Sequence, residues 1–240
     1  LIAKRNYNPL IPDNLADPSL SKFGDTYYLY ATTDLDYGLG RAGTPVVWKS
    51  KDFVNWSFEG SHMKGYDWVN DKGEKKTGYF RYWAPGKVIE QNGTYYLYVT
   101  FVKPDEKMGT YVMIADHPDG PFRFAEGNGL FAPETEGADS PFIVNDIDGE
   151  PFIDDDGNGY LFWRRRLAAR LSADRLHIEG EPLTMQTARQ GYSEGPLMFK
   201  RKGIYYYVYT LSGNQNYVNA YMMSRESPLS GFVKPEGNDI

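Results

Sequence analysis

Four times along the 240 residues, an alternating aromatic run follows a short turn signal. The runs are Tyr28-Leu29-Tyr30, Tyr96-Leu97-Tyr98, Tyr160-Leu161-Phe162 and Tyr207-Val208-Tyr209. The signals before them are Gly24-Asp25, Asn92-Gly93, Asp155-Asp156-Gly157 and Arg201-Lys202-Gly203. A short polar turn between apolar runs of period two predicts an antiparallel hairpin. After each marker comes a second strand-like piece and then another turn. Val46–Ser50 precedes Asp52-Phe53-Val54-Asn55-Trp56, and Tyr111-Val112-Met113-Ile114-Ala115 precedes Pro118-Asp119-Gly120-Pro121-Phe122. Ala168-Ala169-Arg170-Leu171-Ser172 and Ala220-Tyr221-Met222-Met223-Ser224 hold the same place in the third and fourth units.

Each unit therefore reads as roughly four antiparallel strands, and the same order of parts comes round four times. That order predicts an all-β fold, a β-propeller with four blades visible; a sandwich with repeated hairpins is the alternative. Insertions at 34–44, 62–77 and 131–146 account for the uneven spacing. No low-complexity linker divides the chain, so residues 1–240 are expected to form a single domain. An aromatic content of 16% suits pleated strands, and 25 Gly with 15 Pro supply the turns.

A formal charge of −6, with no long basic block, excludes nucleic acid as an expected partner. No apolar run is long enough for a membrane helix, so no membrane partner is expected either. An aromatic-rich chain fits a neutral oligosaccharide or polysaccharide. The absence of cysteine excludes disulfides and thiolate chemistry. The chain opens Leu1-Ile2-Ala3-Lys4-Arg5-Asn6, without an initiator Met or a signal-peptide pattern, as a trimmed product does. A secreted or periplasmic location is expected, with the cytoplasm as the alternative.

Three acids share one place in the repeat. Asp17 lies 11 residues before Tyr28, Asp148 lies 12 before Tyr160, and Glu194 lies 13 before Tyr207. In a propeller the first strand of each blade lines the central channel, so these starts are expected to face one cavity. The second unit has Pro85 at the matching place, after Trp83 and Ala84, and an aromatic there would form a floor for a sugar ring. Two carboxylates facing one pocket are the minimal equipment of glycoside hydrolysis, and a third can hold up the acid's pKa. Taken singly, Asp-Pro and Glu-Gly-Pro are ordinary turn devices. Asp146, Asp154, Asp155 and Asp156 are rivals to Asp148.

Ala16-Asp17-Pro18, Tyr82-Trp83-Ala84-Pro85, Ile147-Asp148 leading into Phe152-Ile153-Asp154-Asp155-Asp156-Gly157, and Ser193-Glu194-Gly195-Pro196 together resemble glycoside hydrolase family 43. The resemblance implies a five-bladed propeller acting with inversion on β-xylosides, α-L-arabinofuranosides or arabinans. It places the general base on Asp17, the modulating acid on Asp148, the general acid on Glu194 and a sugar-binding aromatic on Trp83. The family usually has Pro after the modulating Asp, where this chain has Gly149. It also implies a fifth blade with a Gly-His motif after 237–240, so the chain is expected to lack its last blade. No cofactor is expected to be required, and a structural calcium has no assignable ligand here. Inversion implies an Asp17–Glu194 separation of about 6.5–9.5 Å, against about 5–5.5 Å for a retaining pair.

Other features are weaker. Asp154–Gly157 lacks the spacing of a calcium loop and reads as a hairpin turn. His62, His117 and His177 have no paired ligand spacing. Arg164-Arg165-Arg166 reads as a solvated face with one buried ion pair, while Arg189 and Gln190 are candidates for the pocket. Met222-Met223 reads as core. Two other functions compete: a catalytically silent sugar-binding propeller, and a galactan- or fructan-type propeller hydrolase. Ala16-Asp17-Pro18-Ser19 departs from the Asn-Asp-Pro-Asn-Gly motif of the fructan type.

Overall fold

The computed structural model describes residues 10–11, 14–33, 44–69, 72–78, 81–102, 107–127, 141–189, 191–213 and 216–236. Most of the insertions at 34–44 and 131–146, together with Gln190 and 237–240, lie outside them. The chain divides into two compact units, Leu1–Phe142 and Ile143–Ile240. Its fold is all-β, of the β-propeller class, with four blades; among the described residues the one helical element is a 3-10 turn, Arg164–Arg166.

The first blade is the meander β1 (Leu15–Phe23), β2 (Thr26–Thr33), β3 (Val46–Ser50) and β4 (Ser57–Ser61). A separate hairpin, β5 (Tyr66–Val69) with β6 (Lys75–Gly78), fills the second insertion. The second blade consists of β7 (Tyr82–Trp83), β8 (Ile89–Gln91), β9 (Thr94–Val102), β10 (Met108–Ala115) and β11 (Arg123–Phe124). Here β7 and β8 both pair with β9, so this blade's first strand is interrupted between Trp83 and Ile89. In the second unit, β12 (Glu150–Ile153), β13 (Gly159–Trp163), β14 (Leu167–Leu171) and β15 (Ile178–Thr184) form the third blade. The fourth is β16 (Leu197–Arg201), β17 (Ile204–Gly213) and β18 (Asn216–Ser224), with a bridge from Met223 to Val233.

All four aromatic markers fall on the second long strand of their blade, β2, β9, β13 and β17. In β2, β9 and β13 a continuous stretch is buried, whereas β17 alternates between buried and half-buried residues. Tyr30, Ala31 and Thr32 are buried in succession, as are Leu97 to Val102 and every residue of β13. A half-buried strand would alternate, so unbroken burial means that both sheet faces are covered. The first unit's core joins Tyr30 and Val47 with Tyr82, Leu97, Phe101 and Tyr111; the second unit's joins Phe162 and Met198 with Tyr207, Tyr209 and Met222. Met223 is only half-buried beside that core.

Candidate active site

In the first unit, Asp17 sits inside β1 rather than at its start. Ala16 pairs with Thr32 and Ser19 with Tyr30, so Asp17 and Pro18 form a bulge. Opposed residues of an antiparallel pair point to the same face, while sequence neighbours alternate. Asp17 would therefore point away from Thr32 in a regular strand. Its backbone instead takes a left-handed φ of 48°, which an Asp tolerates better than most residues, and the bulge re-aims the side chain. Thr32 Oγ1 donates to Asp17 Oδ2 at 2.9 Å. The same Oγ1 accepts the N–H of Ala84 at 2.8 Å. Ala84 also has a left-handed φ, 41°, at the break between β7 and β8, where its N–H leaves the strand ladder. Trp83, beside it, is half-buried, while Tyr82 points into the core and its hydroxyl meets His62 Nε2 at 2.9 Å.

In the second unit the structure brings Asp148 and Glu194 together. Gly195, directly after Glu194, donates its N–H to Asp148 Oδ2 at 3.0 Å. Its φ of 54° and the nearness of Thr210 Oγ1, 3.3 Å from where a β-carbon would stand, explain why glycine occupies this position. Asp148 has a left-handed φ of 65° as well. The 3-10 turn ties both segments from its backbone: Arg164 N–H donates to Ile147 O at 3.1 Å, and Arg165 N–H to Ser193 O at 2.8 Å. Thr210 N–H donates to Glu194 O at 3.1 Å. Tyr192 Oη donates to Glu194 Oε2 at 2.8 Å. Partial burial and that hydrogen bond push the Tyr192 hydroxyl above its ordinary pKa.

Asp146 is paired with Arg164, Nε to Oδ1 at 2.5 Å, with side-chain exposures of 8% and 18%. It is an ion pair by distance, although the Nε–H is not aligned as a hydrogen bond. Arg165 Nε stands 3.5 Å from the other Asp146 oxygen and its side chain is two-thirds exposed. Burial alone would lower the Arg164 pKa, but the nearby Tyr192 oxygen and the Asp146 charge raise it. The one buried ion pair anticipated for the triple-arginine run is present, whereas the run's backbone role was not legible. Arg166 Nη1 reaches Thr187 Oγ1 at 2.6 Å and the Arg189 carbonyl at 3.3 Å, and the Arg189 side chain is exposed.

The other acidic rivals to Asp148 are engaged elsewhere. Asp154 accepts from Lys200 Nζ at 2.8 Å and Tyr205 Oη at 2.6 Å. Burial would raise the Asp154 carboxyl, but those two donors hold it below its ordinary value. Asp155 also meets Lys200, and Asp156 caps the turn through Asn158. Asp154–Gly157 is a hairpin turn, as its lack of calcium-loop spacing indicates. Among the described residues, no three His, Asp or Glu side chains cluster as a metal site. Thr32 and Tyr192 are the neighbours that sequence reasoning missed, and Asp146, weighed only as a rival acid, is the partner of the anticipated ion pair. Thr32 is an ordinary strand residue brought to Asp17 by the β1–β2 pairing, and Tyr192 an ordinary loop residue two positions before Glu194.

The family model described as "Glycosyl hydrolases family 43" matches residues 6–240. The chain is 26% identical over 243 residues to "Beta-D-galactofuranosidase xynD" of Aspergillus niger, covering 97% of this chain and 68% of that protein. It is 28% identical over 239 residues to "Arabinoxylan arabinofuranohydrolase" of Bacillus subtilis, covering 86% of this chain and 45% of that one. A solved structure titled "Glycoside hydrolase" matches with a TM-score of 0.77 and 41% identity, covering 95% of this chain and 49% of its own. The chain thus spans about half the length of these last two. With the match running over nearly its whole length, the chain belongs to glycosyl hydrolases family 43.

Proposed function

We propose that this chain carries the catalytic machinery of an inverting glycoside hydrolase acting on β-xylosidic or α-L-arabinofuranosidic bonds of plant cell-wall polysaccharides or oligosaccharides. Asp17 takes a proton from the water that attacks the anomeric carbon. Glu194 gives its proton to the leaving oxygen, and Asp148 orients Glu194. Trp83 offers its face to a sugar ring, and Arg189 lies along the loop that leads to Glu194. The observation that carries the reading is the contact of Asp148 Oδ2 with the amide that follows Glu194. It makes neighbours of two acids 46 residues apart in sequence, as an acid and its modulator must be. No cofactor enters these steps.

Among the described residues no helix is long and apolar enough to cross a membrane. Wall polymers are met outside the cytoplasm, which is the compartment this reading implies. A second sugar has specific support, because one relative is named for β-D-galactofuranoside cleavage. The test is a panel of nitrophenyl β-xyloside, α-L-arabinofuranoside and β-D-galactofuranoside, with NMR of the first anomer released. Release of nitrophenol from one of the first two with an inverted anomer is expected. A retained anomer removes the mechanism, and turnover of the galactofuranoside alone moves the substrate to the second reading. A chain that binds sugar without turnover is the silent propeller.

A further inference from the structure

We propose that Thr32 is the positioning residue for the Asp17 carboxylate, its hydroxyl working as a one-way link between the second blade's backbone and the base. This rests on the reading of Asp17 as general base. A threonine hydroxyl carries one proton and two acceptor lone pairs. The Ala84 N–H, 2.8 Å away, donates to that oxygen. An amide N–H only donates, so it takes a lone pair and leaves the hydroxyl proton for Asp17 Oδ2 at 2.9 Å. Thr32 is 2% exposed, so water does not compete for the hydroxyl. With Oδ2 held, the carboxylate does not swing about its terminal bond, and the direction of Oδ1 is set with it.

The backbone geometry supports a dedicated arrangement. Asp17 and Ala84 both hold left-handed backbone that a non-glycine residue takes at some cost, and both are aimed at the one hydroxyl between them. The bulge at Asp17-Pro18 turns the carboxylate to the face on which Thr32 stands. The break after β7 turns the Ala84 N–H out of its ladder toward the same oxygen. Ala84 follows Trp83, so the link also sets the base in register with the residue proposed to carry the sugar ring. Trp83 remains held independently, because β7 pairs with β9 through Tyr82–Phe101 and Trp83–Thr100. Loss of the hydroxyl should therefore misplace the base without releasing the sugar platform.

The experiment compares wild type, Thr32→Val and Thr32→Ser on the best aryl glycoside of the panel, with kcat and KM measured separately and folding followed by circular dichroism. Thr32→Val keeps the shape and removes the donor; kcat is expected to fall about 10- to 100-fold with KM within about two-fold, the scale of a misplaced catalytic group. Thr32→Ser keeps the donor and removes a methyl group; kcat is expected to stay within about three-fold of wild type. A Thr32→Ser protein that folds and loses kcat by more than 10-fold overturns the proposal, even if Thr32→Val fails to fold. A folded Thr32→Val with kcat near wild type overturns it too, as does a change confined to KM. A wild-type chain inert to the whole panel overturns the functional reading and this proposal together, whereas the other failures leave the functional reading standing.

Discussion

The two units support their carboxylates in different ways. Asp17 accepts from a neutral group, a buried threonine hydroxyl backed by a backbone amide. The polar groups buried deeper in that unit are neutral as well, with His62 against Tyr82, Ser21 on the Val88 carbonyl and Tyr30 on the Pro118 carbonyl. Asp148 and Glu194 accept from neutral groups too, the Gly195 N–H and the Tyr192 hydroxyl, but an ion pair stands behind them. Arg164, whose backbone N–H holds the Ile147 carbonyl next to Asp148, pairs its side chain with Asp146. A base must stay ionised while being held still, and a neutral donor does that without adding charge. An acid that cycles its proton is better anchored through neighbours whose charges balance one another.

The largest effect should come from the carboxylates themselves. Asp17→Asn is expected to lower kcat/KM by about 10²–10⁴-fold on every substrate, because activation of water is needed whatever the leaving group. Glu194→Gln should cost as much on a xylo- or arabino-oligosaccharide and far less on a nitrophenyl glycoside, whose leaving group needs little protonation. Rates on the two substrate types for both variants check this. Equal losses for Glu194→Gln on both types would break the contrast between base and acid.

Next in size is the ionic support. Asp146→Asn removes the partner of an arginine that is mostly buried, and truncating one side of such a pair typically costs about 3–5 kcal/mol. With Arg164 partly exposed, the lower end, about 3 kcal/mol, is the expectation for urea unfolding at neutral pH. The neutral counterpart, Thr32→Val, should cost about 1–2 kcal/mol, one buried amide losing its acceptor. If the two losses are equal, the distinction between the halves does not extend to stability.

How much of this was legible in the sequence follows the same division. The four markers, their turns and the acids' shared place in the repeat follow from local alternation and turn chemistry, and the strands lie where those signals put them. The starts of the first strands were less legible. Asp17 lies within β1 because Ala16 still pairs with Thr32 ahead of the bulge, and Asp148 falls two residues short of β12. Neither register is written locally. Support from Thr32 depends on the β1–β2 register, that from the Arg164–Arg165 backbone on bonds to two other segments, and that from Tyr192 on a loop conformation two residues before Glu194. A threonine at the end of a strand looks the same in sequence whether or not a carboxylate is bent toward it. His62 shows the same limit: no ligand spacing marks it, and only the fold surrounds it with Tyr30, Tyr82 and Phe122.

The effect that is smallest at neutral pH concerns His62, and it grows with acid. Burial pushes its imidazole down to about 3 from an ordinary 6.5, so it is neutral in the folded protein at any moderate pH. The faces of Tyr30 and Tyr82 around it stay neutral over the same range, since burial raises both hydroxyls well above their ordinary value. Between pH 6.5 and about 3 the unfolded chain binds a proton there and the folded chain does not. Stability from this group therefore falls as pH falls, by at most about 1.4 kcal/mol per pH unit. The ionic half responds later: Asp154 has a lowered pKa, so its contribution is complete above about 3.8 and is lost only below that. From pH 6.5 to 5 the neutral half should weaken first, by up to about 2 kcal/mol. Urea unfolding of wild type and His62→Gln at pH 7, 6 and 5 checks it, because every carboxylate is common to both proteins and cancels in the difference. Wild type should lose ground against the variant as pH drops. Parallel lines would mean that His62 takes up its proton in the folded protein as readily as in the unfolded chain, and the burial argument for the neutral half would fall.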